Sequence, residues 1–250
     1  MACVLRPEFN QNKLTGSRTM NPSKLFKLSI GLSLFMGVTS LCQAAVIHYV
    51  DDPGILTSQV AEATTIDFEG LGSFAGTTNC PVEYNCAGDY QIRTSNGIVN
   101  QSAAPYQATP VGEDWLTVPN PISHGSAMFT LGAKYNYFGL FWGSLDTYNS
   151  INFFDDSTLL ASFSGSTFVP PLQADGGQGD WDSNRFINFM MTDGMTYNSV
   201  ELVSNGFAFE SDNHAYGNVV LSPVPVPAAV WLFGTALIGL IGFGKRRKAA

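Results

Sequence analysis

The sequence predicts an all-β body, an antiparallel two-sheet sandwich of jelly-roll type, between an N-terminal signal helix and a C-terminal transmembrane helix. Three observations carry this. Turn residues recur every 8–12 positions between Val46 and Ser222, and no amphipathic run of ten or more residues interrupts them. The two ends are apolar and each lies beside cations. The body between them is strongly acidic. The chain divides accordingly into residues 1–45, an extension and signal peptide; 46–222, the β-domain; and 223–250, a tail.

At the N-terminus, Met20 opens a second candidate start, followed by Lys24 and Lys27. An apolar run from Leu28 to Leu41 leads to Cys42-Gln43-Ala44-Ala45. A positive region, a short apolar core and small residues at the end make a secretory signal peptide, with cleavage expected after Ala44 or Ala45.

The body carries 19 acidic side chains against three basic ones, Arg93, Lys134 and Arg185, a net charge of −16 where the whole chain has −8. Such a surface repels nucleic acid and anionic lipid, so no nucleic-acid partner is expected. After signal removal Cys80 and Cys86 remain. Six positions apart in an exported domain, they read as one disulfide.

Strands follow in order. Thr64–Glu69 alternates apolar and polar residues and stops at Gly70. Residues 90–93 and 97–99 flank Ser95-Asn96, a hairpin-like turn. Residues 115–118 form a short strand ended by prolines, and 127–131 another. Tyr135 to Trp142 is bulky on both faces, as a central strand covered on both sides must be. Residues 150–154 and 158–163 flank the turn Asp155-Asp156-Ser157. Residues 186–192, 199–204, 206–210 and 215–221 complete the set. Val60–Thr64 is the one place for a helical turn.

The tail begins Pro223-Val224-Pro225-Val226-Pro227, which no helix can continue through. An uncharged run from Ala228 to Phe243 follows. Counted from Val224 to Gly244 it has 21 residues, about 31 Å as a helix, against roughly 30 Å of bilayer hydrocarbon. Lys245, Arg246, Arg247 and Lys248 then form a basic stop on the cytoplasmic side. This order of parts resembles the PEP-CTERM sorting signal of Gram-negative bacteria. The motif Val224, Pro225, Val226, Pro227 with Ala228 is closest to the variant reading Val-Pro-Leu-Pro-Ala, and has Val226 where the name-giving signal has Glu. The resemblance implies an exosortase-type processing enzyme as partner. It also implies a precursor anchored in the inner membrane by its C-terminal helix. Release to the cell surface or exterior would follow, in association with exopolysaccharide.

Inside the body, the stretch from Gly139 to Ile151, with Trp142-Gly143-Ser144 and then Asp146-Thr147-Tyr148-Asn149, resembles a segment of exosortase-dependent surface proteins. Phe207 to Asn213 resembles another. Physically, Asp146 and Asn149 can brace an inter-strand turn through their own backbone. Alternatively Trp142, Asp146, Tyr148 and Asn149 form a sugar-binding rim, with an aromatic face and hydrogen-bonding groups. Asp67 and Glu69 near the start, and Glu210 and Asp212 near the end, are each spaced i, i+2 and so share a strand face. If the terminal strands are neighbours, a structural Ca2+ would join these carboxylates. Asp175, Asp180 and Asp182 read as a solvated acidic loop. His48, His124 and His214 form no spaced pair, and no Gly-x-Ser-x-Gly elbow or phosphate-binding glycine loop occurs. The expectation is a non-enzymatic exported protein; the alternative is a carbohydrate-binding module.

Overall fold

A computed structural model describes residues 45–72, 79–94, 96–106 and 113–220. The signal helix, the motif Val224–Pro227, the apolar tail and the cluster Lys245–Lys248 lie outside the described residues. Among the described residues no helix is long and apolar enough to cross a membrane.

Among the described residues twelve strands follow one another: β1 Val46–Val50, β2 Thr64–Ile66, β3 Tyr84–Gly88, β4 Gln91–Thr94, β5 Asp114–Val118, β6 Gly125–Tyr135, β7 Tyr137–Gly143, β8 Asn149–Asp155, β9 Thr158–Ser164, β10 Arg185–Met191, β11 Tyr197–Ser204 and β12 Phe209–Gly217. They form two antiparallel sheets. One runs β1-β10-β7-β12-β5-β4, with β2 also paired to β12; the other runs β3-β6-β11-β8-β9. The body is a β-sandwich, as its turn spacing requires.

The central strand is the one its sequence demands. All seven residues of β7 are buried. Phe138, Leu140 and Trp142 point between the sheets, into a core shared with Phe129, Phe153 and Phe189. Tyr137 and Phe141 point the other way. That outer face is covered by Ile55, Leu56, Val60 and Ala63 from the segment after β1, and by Trp181. Polar ties fix the cover. The Asn188 amide donates to Asp51 Oδ2 (2.9 Å), Arg185 donates to Asp51 O (3.0 Å), and the Ser58 and Tyr137 hydroxyls lie 2.6 Å apart. Each large side chain so enclosed contributes about 2–3 kcal/mol by leaving water.

The second sheet shows one face to solvent. Its inner residues, such as Ile151, Phe153, Val200 and Leu202, alternate with polar outer ones. On that outer face Glu201 accepts from Ser126 Oγ (2.8 Å) and Asn152 Nδ2 (2.9 Å), while Thr130 and Ser199 pair at 3.0 Å.

Four local expectations are corrected. Residues 206–210 and 215–221 are not two strands. β12 runs unbroken through Ser211-Asp212-Asn213-His214, with a register shift against β7 between Asp212 and Ala215. The polar run stays inside because its groups find partners: Ser211 Oγ and His214 Nε2 lie 2.9 Å apart, and Tyr84 OH and His214 Nδ1 3.2 Å. No hairpin follows β4, which pairs with β5 instead; Ile98 forms an isolated bridge with Ser102. The strand beginning at Thr64 ends at Ile66, before the acidic pair Asp67 and Glu69. β1 and β3 are strands that propensity does not announce. The Cys80–Cys86 disulfide is formed, and it anchors the start of β3 beside β6.

Candidate binding cleft

A cleft of about 620 Å3 opens at the end of the seven-stranded sheet where β7 stops and β12 begins. One wall is the segment 98–103; the other carries Ser144, Asp146, Tyr148, Asp175 and Gln178, and Glu210 also lines it.

Glu210 is fully buried on β12. Its Oε1 accepts from Ala103 N (3.0 Å) and its Oε2 from Ser144 Oγ (2.6 Å). These bonds hold the 98–103 wall to the end of β7. Burial outweighs them and pushes the carboxyl up to about 8; the nearby Asp146 charge adds to the rise. At neutral pH Glu210 therefore keeps its proton in most molecules.

Ser144 sits at φ 39°, the left-handed region that a side chain rarely adopts. Such a backbone persists only where neighbours over-determine it. Here Asn184 does so. Its Oδ1 accepts from Ser144 N (2.9 Å) and Tyr106 N (3.2 Å), and its Nδ2 donates to Gly177 O (2.7 Å) and Asp180 O (2.8 Å). One buried amide thus ties the segment at Tyr106, the turn at Ser144 and the loop 177–180 together around the cleft. Nothing in the sequence singles it out, since a lone Asn in a loop is ordinary.

Asp146 and Tyr148 are half-buried on the turn into β8. Burial raises the Asp146 carboxyl and the Asp175 charge raises it further, against the lowering contact with Tyr148. The Tyr148 hydroxyl donates to Phe207 O (2.8 Å). Burial and the neighbouring carboxylates hold this phenol neutral far above its usual range. Asp175 is exposed and lies below its ordinary value, because Ser183 Oγ (2.7 Å) and Gly177 N (3.2 Å) donate to it. Gly176 is at φ 73°, and a Cβ there would come 2.9 Å from Asp146 Oδ1; only glycine lets the loop approach.

The structure separates the four residues of the expected rim. Asp146 and Tyr148 line the cleft. Trp142 does not: its ring is fully buried between the sheets, stacked on Phe209 at 4.1 Å, with no face for a sugar. Asn149 is also fully buried. It donates to Ala208 O (2.9 Å) and accepts from Ser204 Oγ (2.5 Å), so it holds the chain before β12 and has no capacity aimed outward. The period-2 rule explains Trp142: counting from Phe138, it falls on the inner face.

The four carboxylates expected to share a cation are divided. β2 does pair with β12, and Asp67, Glu69 and Asp212 lie close enough that their charges raise the Asp212 carboxyl well above its usual range, after burial as the main cause. Glu113 joins them, and Glu69 is raised to about 7 by burial and by its contact with Glu113. Glu210, on the same strand face as Asp212, lies under the 98–103 segment instead. Among the described residues no group of three or more His, Cys, Asp or Glu is placed to hold a metal ion. Burial and mutual repulsion favour the protonated forms of Asp212 and Glu69.

No protein-family model and no curated protein matches the sequence. Among solved structures, the chain is similar to CpGH89CBM32-6 produced by Clostridium perfringens, at 12% identity and a TM-score of 0.30, over 56% of this chain and 96% of that one. A likeness this slight bears on neither ligand nor mechanism.

Proposed function

We propose that the chain is an exported, non-enzymatic surface or matrix protein, sorted by its PEP-CTERM-like tail, whose jelly-roll-like body binds a neutral polysaccharide in the cleft beside Asp146 and Tyr148. The observation that carries this reading is the polarity of the sandwich. Both ends of the body leave from one pole. Thr192 N donates to Ala45 O (2.9 Å), and Met191 N to Asn136 O (2.8 Å). Asn136 exchanges two hydrogen bonds with Val219 (2.7 and 2.8 Å), just before the tail. From that pole β7 runs seven residues, roughly 20 Å at about 3.3 Å each, to Gly143 and the cleft. A tail held in a membrane would leave the cleft facing outward.

The lining supports a neutral, hydroxyl-rich ligand. Among the described residues it carries three carboxyl groups, Asp146, Asp175 and the protonated Glu210, and no lysine, arginine or histidine. Uronic acids and other anionic sugars would be repelled by it. Hydroxyl and amide groups of Ser144, Gln178 and Asn100 offer donors and acceptors, and the volume is ordinary for a ligand site.

Two measurements test the two halves. Intact mass of the protein recovered from the cell surface and medium should lack both the signal peptide and the tail; full-length chain in the cytosol would sink the sorting half. Calorimetric titration with neutral oligosaccharides should give binding that Asp146→Ala weakens about tenfold or more, the loss of one charged hydrogen-bond partner. Silence across neutral glycans at high protein concentration would sink the binding half.

A further inference from the structure

Ala45 precedes β1 by one residue, yet its backbone is engaged on both sides. Its N–H donates to Thr192 Oγ1 (3.0 Å), and its carbonyl accepts from Thr192 N (2.9 Å) and Thr192 Oγ1 (3.0 Å). These bonds continue the β1–β10 register one step beyond Val46↔Met191. Thr192 Oγ1 also lies 3.1 Å from Asp193 Oδ2. Asp193 is exposed and sits at φ 55°, followed by Gly194 at φ 79°, and this turn after β10 sets its carboxylate on Thr192 Oγ1, the same atom that Ala45 N–H reaches.

We infer that the signal peptide is cut between Ala44 and Ala45, and that the new α-ammonium of Ala45 docks on Thr192 Oγ1 beside the Asp193 carboxylate. This rests on the export reading and deepens it. A cut one residue later would remove the Ala45 carbonyl and strand the Thr192 N–H, and it would leave Val46 to open the edge strand. The sequence agrees: a cut after Ala44 has small residues, Cys42 and Ala44, at the third and first positions before it, whereas a cut after Ala45 puts Gln43 at the third. Amide hydrolysis leaves the Ala44 carboxylate on the signal peptide and the ammonium on Ala45, whose nitrogen can keep donating where its amide did. The cation then gains an anionic neighbour that the amide could not use. Cleavage therefore strengthens the attachment of β1, which supplies an edge of the seven-stranded sheet.

The test is N-terminal sequencing of the exported protein with an NMR titration of its α-amino group. The expected result is a chain starting at Ala45, with the α-amino pKa above the ordinary 7.7–8.0 range, returning toward it in Asp193→Asn. An exported chain starting at Val46 overturns the inference and leaves the export reading standing. So does an Ala45 start with an α-amino pKa that Asp193→Asn does not move. An exported chain that keeps residues before Ala45 overturns the inference and leaves the export reading standing, whereas full-length chain confined to the cytosol removes both.

Discussion

Along β8, buried residues alternate with half-buried ones; along β7, all seven residues are buried. The two sheets face the same core, but they treat their outer faces differently. The five-stranded sheet leaves its outer face wet, and polar pairs such as Thr130–Ser199 and Ser126–Glu201–Asn152 lie on it. The seven-stranded sheet has its outer face roofed by the segment after β1 and by the loops around the cleft. Polar groups on that face cannot turn to water. Asn188, Glu210 and Asp212 are all buried. The roofed sheet is therefore where carboxyls shift and where a site can be built, while the open sheet is scaffold.

The sharpest way to break this contrast is truncation on the two outer faces. Phe141→Ala on the roofed face should cost about 3–5 kcal/mol in denaturant unfolding, as for a buried aromatic. Thr130→Ala on the open face should cost under about 1 kcal/mol. Equal losses would mean that the roof does not form in solution. Next in size is Asn184→Ala, which leaves the Ser144 and Tyr106 amides without their acceptor. We expect about 2–3 kcal/mol of destabilisation together with lost glycan binding.

Titration separates the roofed sheet further. Glu210 folds with its carboxyl raised from 4.5 to about 8, so its contribution is fully present below pH 4.5 and is lost as pH rises through about 8. Glu210→Gln should keep the fold and flatten the expected fall in unfolding free energy between pH 4.5 and 8, a difference on the order of a few kcal/mol at pH 9. His214, fully buried among Phe68, Tyr84, Phe129 and Phe138, is lowered from 6.5 to about 3 by that burial. Its contribution is present above pH 6.5 and is lost as pH falls toward 3. NMR should find its ring neutral at pH 5; an imidazolium there would contradict the packing. Reduction of the disulfide, which closes a short loop, should lower stability by about 2 kcal/mol, read from the melting midpoint.

Three strands of the open sheet were legible from their alternation. Residues 150–154, 158–163 and 199–204 announce β8, β9 and β11 within a few positions. β7 was legible for the opposite reason, as an apolar run too dense for one face. What failed were segments whose polarity is satisfied inside. Ser211 to His214 reads as a turn because hydrophilic residues usually cluster there, yet hydrogen bonding keeps it within β12. β3, Tyr-Asn-Cys-Ala-Gly, has little strand propensity; its pairing with β6 and the disulfide fix it.

At the site, Asp146 and Tyr148 could be named from the turn they occupy. Glu210 could be named as an unusual acid but not given neighbours, because which loop covers a strand face is a long-range fact. Asp175 reads as solvated acid and is indeed exposed, yet its loop forms a wall of the cleft. Trp142 misleads because an aromatic beside a polar turn has the composition of a sugar platform; only its place in the strand's alternation says that it faces inward.

Amide NMR during titration with a neutral oligosaccharide tests the central claim most directly. Binding in the cleft gives saturable shifts confined to residues 98–103, 144–148, 175–178 and 207–210, with none along the outer face of β6, β11 and β8. Shifts centred on that open face, or at the pole where Ala45 and Val219 leave the sandwich, would contradict it.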